Sequence, residues 1–243
     1  MPVQACIVHH DGTTSHAAAS SFVNPLTALG MVETMRMEGH TALVHTAASS
    51  LGIMLNKVCI KEGVALVNIV RKQEQVDLLT KLGAKFVVNS SSESFKKDLY
   101  KAIDATGATL AFDAIGGGEL AGDILAAMEA VGSKDATGFN TYGSVDNKQV
   151  YIYGGLDFSP TLLNRAFGMT WSVGGWLLMR FLAKLEPVRI VELYKRVADE
   201  INTTFAIEST VELTFAEAMT PEVIEKYNAK TTGGKYILNP NKG

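Results

Sequence analysis

The stretch 41–63, TALVHTAASSLGIMLNKVCIKEG, constrains this chain more than any other. An apolar run, Ala42, Leu43 and Val44, suits a strand buried on both faces. Small residues follow, Thr46-Ala47-Ala48-Ser49-Ser50-Leu51-Gly52, and then Leu51, Leu55, Val58 and Cys59 share one face of a helix. Strand, tight turn and helix form the opening unit of a dinucleotide-binding sheet, whose helix N-terminus directs unpaired N–H groups at a pyrophosphate. The glycine form of that turn is G-x-G-x-x-G. Here it reads Ala47-x-Ser49-x-x-Gly52, keeping only the glycine that lets helix pack closely on strand. A plain strand-to-helix crossover accounts for the stretch as well as a phosphate site does, so the flanks decide.

Before it, Ala5 to Val8 is a short apolar run, Asp11-Gly12 a turn, and an alanine- and serine-rich helix starts near Ser15. Asn24-Pro25 predicts the start of a helix over 25–37, with Asn24 as cap. After it, strands are expected at 65–70, 85–89, 109–112 and 149–153, alternating with helices at 74–82, 94–105 and 120–131. Gly83 ends the first of these helices, and Ser90 with Glu93 forms a capping-box spacing before the second. Residues 132–148 read as an exposed polar loop or insertion. Such alternation predicts an α/β chain with a doubly wound parallel sheet. The tail reads as a loop over 156–169 in which Ser159-Pro160 starts a short helix, then a strand from Thr170 to Trp176. An amphipathic helix over 187–201 follows, with Val188, Val191, Tyr194, Ala198 and Ile201 on its stripe. Strand-like residues 210–215, a helix capped by Thr220-Pro221 and a last strand at 235–238 complete the chain.

At 243 residues the chain can bury a sizeable core. Its formal net charge of −3 gives no general pull toward nucleic acid or an anionic membrane. Cys6 and Cys59, far apart, make no disulfide framework and read as reduced thiols of a cytoplasmic protein. No cysteine–histidine set has metal spacing, and the five histidines read as surface or loop residues. The apolar stretch 171–182, interrupted by Arg180, is too short to span a bilayer, and the N-terminus lacks a signal-peptide pattern.

Ligands of such sheets sit at the carboxyl ends of the strands. Collected there are Ala47 to Gly52, Arg71-Lys72, Asp113 to Gly118 and Gly154-Gly155. Glycines at two strand ends fit a closely approaching ligand or plain tight turns equally. Arg71 lies nineteen residues beyond Gly52, where an NAD site places an acidic residue. Cations there fit a 2′-phosphate, and a solvated basic helix start is the plain alternative. The short-chain dehydrogenase pattern Tyr-x-x-x-Lys is absent, since none of the seven tyrosines has lysine four residues on.

Together, Asn24-Pro25-Leu26-Thr27-Ala28, the run Val44 to Gly52, Leu82-Gly83-Ala84-Lys85, Phe112-Asp113-Ala114-Ile115-Gly116-Gly117 and Thr231-Thr232-Gly233-Gly234-Lys235 resemble the medium-chain dehydrogenase/reductase superfamily. The nearer resemblance is to its zinc-independent quinone oxidoreductases and enoyl reductases. It implies a Rossmann fold and NADPH-dependent hydride transfer to a small-molecule quinone or enone. By the same resemblance Thr27 and the turn Thr46, Ala47, Ala48, Ser49, Ser50, Leu51 and Gly52 face the cofactor phosphates. Arg71 and Lys72 face the 2′-phosphate, Ile115 and Gly116 the adenosine side, and Tyr153, Gly154 and Gly155 the nicotinamide end. The family's fingerprint keeps more glycine than Ser49-Ser50 allow. Family members also begin with a barrel-like domain supplying much of the substrate pocket, so no catalytic residue is named here. Residues 1–24 are expected as a junction remnant, 25–234 as the dinucleotide-binding domain and 235–243 as a junction strand. The resemblance implies a homodimer through the edge strand 170–176. A nucleotide-binding module without catalysis, or an inactive fragment, is the competing expectation.

Overall fold

In the computed structural model, residues 6–138, 140–207, 210–228 and 235–242 are described. The strands are β1 Ala42–Thr46, β2 Ala65–Val70, β3 Phe86–Asn89, β4 Leu110–Asp113, β5 Gly116–Gly118, β6 Lys148–Ile152, β7 Asp157–Thr161, β8 Trp171–Gly175, β9 Thr210–Leu213 and β10 Lys235–Leu238. The helices are α1 Ser15–Ala18, α2 Val23–Met37, α3 Ser50–Glu62, α4 Gln73–Lys81, α5 Phe95–Thr106, α6 Leu120–Gly132, α7 Leu178–Leu182, α8 Pro187–Glu200, α9 Phe215–Ala218 and α10 Pro221–Asn228.

Six strands form one parallel sheet in the order β3-β2-β1-β4-β6-β8, the doubly wound arrangement that the alternation predicts. Its central strand β1 is buried at all five positions. Alternate side chains of β1 enter two different cores, as the period of two demands. Leu43 packs with α2, α3, α7 and α8 on one face, whereas Ala42 and Val44 pack with α5 and α6 on the other. Leu51, Leu55, Val58 and Cys59 are all buried, so α3 presents the predicted face. It stops where Gly63 turns left-handed at φ +66°, a conformation that costs glycine little.

Several local expectations are corrected. Asn24 does not cap α2, which begins one residue earlier and is preceded by Phe22. The Ser90–Glu93 spacing forms no capping box; Ser94 precedes α5 without a side-chain cap. Ser159-Pro160 starts no helix, because this segment is β7, pairing in parallel with β5 as Thr161 donates its hydroxyl to the Gly116 carbonyl. The stripe of α8 is also different. Val188 and Val191 lie 71% and 62% exposed; Leu193, Val197 and Ile201 join the core cluster that includes α2, Tyr194 packs against it and Ala198 is buried, so the predicted stripe holds only in its second half.

The polar stretch 132–148 is not simply exposed. Lys148 is fully buried in β6, and its Nζ lies 2.7 Å from Glu129 of α6. Ser144 donates to the same carboxylate through its amide and its hydroxyl. Burial alone raises the Glu129 pKa, but hydrogen bonds from Lys148, Ser133 and Ser144 outweigh it and bring it down to about 2.

Candidate functional site

The chain leaves β1 through a strained turn. Ala47 takes φ +83°, the left-handed region that a side chain makes costly. Its amide donates to the Ile69 carbonyl at 2.9 Å, which fixes the turn against β2. Ser49 then caps α3, its Oγ accepting from the Gly52 amide at 3.3 Å. A Cβ on Gly52 would sit 2.3 Å from the Ala47 carbonyl oxygen and 3.1 Å from Cε1 of His45. Only glycine fits, so the one retained glycine of the fingerprint performs the packing role assigned from the sequence.

A second element of the site is a clasp between β1 and β4. Thr46 donates its hydroxyl to Asp113 Oδ1 at 2.9 Å and accepts from the Ala114 amide at 2.7 Å. Asp113, 1% exposed, also accepts from the amides of Ile115 and Gly116. These bonds hold the loop after β4 beside the turn after β1.

A third element is an aromatic pair. His45 is fully buried, and its Nε2 lies 2.7 Å from the Tyr153 hydroxyl just past β6, with ring centroids 5.7 Å apart. Burial lowers the His45 pKa to about 4, so the ring is neutral near pH 7. Burial, and then the Asp113 carboxylate, push the Tyr153 phenol upward. The expectation that the histidines lie at the surface or in loops fails for His45, which is fully buried within β1, and the clasp role of Asp113 was not assigned from sequence. The available signals were a histidine inside an apolar strand and an aspartate directly before glycines.

The glycines around these groups serve the protein itself. A Cβ on Gly117 would lie 2.6 Å from Ser159 Oγ, and one on Gly154 would lie 2.7 Å from the Ala114 carbonyl. Close approach of β7 and of the loop after β4 therefore accounts for both. Structure thus joins Thr46 to Gly52, Asp113 to Gly116 and Tyr153 to Gly155 at one end of the sheet. Arg71 and Lys72 stand exposed at the end of neighbouring β2, and their backbone amides donate to the Gln75 side chain. Neither forms an ion pair among the described residues. Thr27 is buried in α2 with no hydrogen bond to the turn among the described residues. Residues 231–234, part of the resemblance, lie outside the described residues. No group of three or more histidine, cysteine, aspartate or glutamate side chains suited to a metal occurs among the described residues. No helix among them is long and apolar enough to cross a membrane.

No family model matches the chain, and no curated protein sequence does. Solved structures do. A candidate NADPH:quinone reductase from Mesorhizobium loti is 26% identical, with a TM-score of 0.78 over 97% of this chain. An enoyl thioester reductase from Candida tropicalis, in a mutant form, is 18% identical with a TM-score of 0.62 over 90%. A mycobacterial protein solved with NADPH is 18% identical with a TM-score of 0.65 over 95%. The chain has the nucleotide-binding fold of the medium-chain dehydrogenase/reductase superfamily. At 18% identity the last two similarities concern the fold alone. The chain spans 64% of the length of the Mesorhizobium reductase and 58% of the Candida enzyme. In this fold the strained turn, the clasp and the His45–Tyr153 pair line the ends of β1, β4 and β6, beside the seam between β1 and β4 where the sheet order reverses.

Proposed function

We propose that the chain binds NADPH across the carboxyl ends of its sheet and serves hydride transfer to a quinone or enone. The observation that carries this reading is the Ala47–Gly52 turn, whose closeness to α3 leaves no room for a Cβ at Gly52. A pyrophosphate fits there by replacing the Ser49 hydroxyl as acceptor of the Gly52 amide, a bond already long at 3.3 Å. Arg71 and Lys72, exposed and without ion pairs among the described residues, suit the 2′-phosphate on the β2 side. The Asp113 clasp orients Ile115 and Gly116 toward the adenosine, and Tyr153, Gly154 and Gly155 frame the opposite end. When bound, NADPH supplies the hydride. The chain's own residues bind and orient it, and the reading needs no zinc. Residues 25–234 act as the dinucleotide-binding domain in this reading.

A charge-assisted hydrogen bond contributes roughly 1.5–3 kcal/mol, so one or two at Arg71 and Lys72 favour NADPH over NADH by about tenfold to a hundredfold or more. Calorimetric titration of both cofactors against wild type and Arg71→Ala tests this, with and without a chelator. Equal affinities in the wild type refute the assignment.

One observation favours a second reading, a nucleotide-binding module without catalysis. The polar groups at the strand ends, Thr46, Asp113 and His45, are all engaged in holding the scaffold. Steady-state NADPH oxidation with quinones and enones separates the two readings.

A further inference from the structure

We propose that Tyr153 is a fixed hydrogen-bond donor for the carboxamide oxygen of bound nicotinamide, and that buried His45 holds it in that role. The inference rests on the NADPH reading and extends it to two named side chains.

The argument is a count of protons. A neutral imidazole has one N–H and one bare nitrogen. His45 has one polar contact, from Nε2 to the Tyr153 hydroxyl, while Nδ1 is buried without a partner among the described residues. If Nδ1 carries the proton, a buried N–H donor is left unpaired, and such orphans are rare in folded proteins. If Nε2 carries it, the unpaired group is a bare acceptor, and Nε2–H donates to the Tyr153 oxygen. The second arrangement leaves less unsatisfied. It also decides the orientation of the phenol. With His45 already donating to its oxygen, the Tyr153 O–H cannot point back at the ring and is free for another acceptor. Because burial and Asp113 both disfavour the phenolate, the hydroxyl keeps its proton and acts as a donor rather than as an acid.

Tyr151, two residues earlier, provides the contrast. Its hydroxyl lies 2.7 Å from Glu38 Oε1 and is thereby committed within the fold. Among the described residues Tyr153 makes no hydrogen bond to a carboxylate. Position identifies its acceptor. β2, bearing Arg71 and Lys72 at its end, is separated from β6 by β1 and β4. Three strand spacings come to about 14 Å. A dinucleotide anchored by its phosphorylated ribose at β2 and its pyrophosphate at the β1 turn extends its nicotinamide toward β6. The polar atom there in need of a donor is the carboxamide oxygen.

Two measurements test this. In the ligand-free chain, nitrogen-15 NMR of His45 is expected to show protonated Nε2 and bare Nδ1; the opposite tautomer overturns the proposal. In the second, NADPH and 2′-phospho-ADP-ribose, which lacks nicotinamide, are titrated against wild type, Tyr153→Phe, His45→Leu and His45→Gln. Tyr153→Phe should weaken NADPH by about three- to tenfold, as one neutral hydrogen bond is lost, and leave 2′-phospho-ADP-ribose unchanged. His45→Leu should reproduce that selective loss, and His45→Gln, whose amide can still donate, should restore part of it. Wild type binding both ligands with Tyr153→Phe indifferent, or equally weakened for both, overturns this inference alone. Wild type binding neither overturns the NADPH reading and this inference with it.

Discussion

Lys148 has a charged side chain with none of its surface exposed, and a charge so placed needs a partner. It has Glu129 at 2.7 Å, Ser144 Oγ at 2.8 Å and the Asp146 carbonyl at 2.9 Å. Removing one member strands the other, so Lys148→Met is expected to destabilise the chain by about 3–5 kcal/mol. The pH dependence follows from the same contacts. Glu129 is held near 2, below its ordinary 4.5, so its contribution is fully present above 4.5 and is lost as pH falls toward 2. Thermal melts between pH 7 and pH 2 check both statements. The double variant Glu129→Gln/Lys148→Met should lose less stability over that acid range than wild type does. None of this was legible in the sequence, because 132–148 is mostly polar and glycine-bearing and the partner of Lys148 lies nineteen residues back, on a helix. Gly52 was legible for the opposite reason. Its constraint comes from Ala47, five residues away in the same turn.

Elements show the same division between local and distant causes. β1, β2 and β4 were readable because burial on both faces makes them short, largely apolar runs. β5 is Gly116–Gly118, which has no side chains to carry a period of two, and it reads as a turn until β7 is beside it. In α8, hydrophobic periodicity offers two stripes, and contact with α2 selects the one through Leu193 and Val197. The edge strand β8 carries a prediction. It pairs only with β6, and its other side is unpaired among the described residues. The Thr170 carbonyl and the Trp176 amide both face β6. Alternation then turns the even-numbered amides inward and those of Trp171, Val173 and Gly175 outward. If two copies join edge to edge about a two-fold axis, Val173→Pro removes an outward donor and spares the inner ladder. Sedimentation should show a dimer for wild type at micromolar concentration and a monomer for Val173→Pro. A wild-type monomer refutes the edge dimer.

At the scale of the whole molecule, order along the chain and order in the sheet diverge at one seam. β1, β2 and β3 lie on one side of it, and β4, β6 and β8 on the other. Residues 67 apart meet at the Thr46–Asp113 clasp that crosses it. Each half is built from nearer neighbours, so each can form before the seam closes, and closing the longer loop is the slower step. In pulse-labelling hydrogen exchange the Ala114 and Ile115 amides are therefore expected to gain protection after those of β2. Simultaneous protection would contradict that order. The clasp also ties survival to supply. A ligand lying across the seam binds only chains whose two halves have already docked, and it stabilises both together according to its concentration over its dissociation constant. Where proteases remove open chains, abundance of this protein should rise and fall with the level of its ligand.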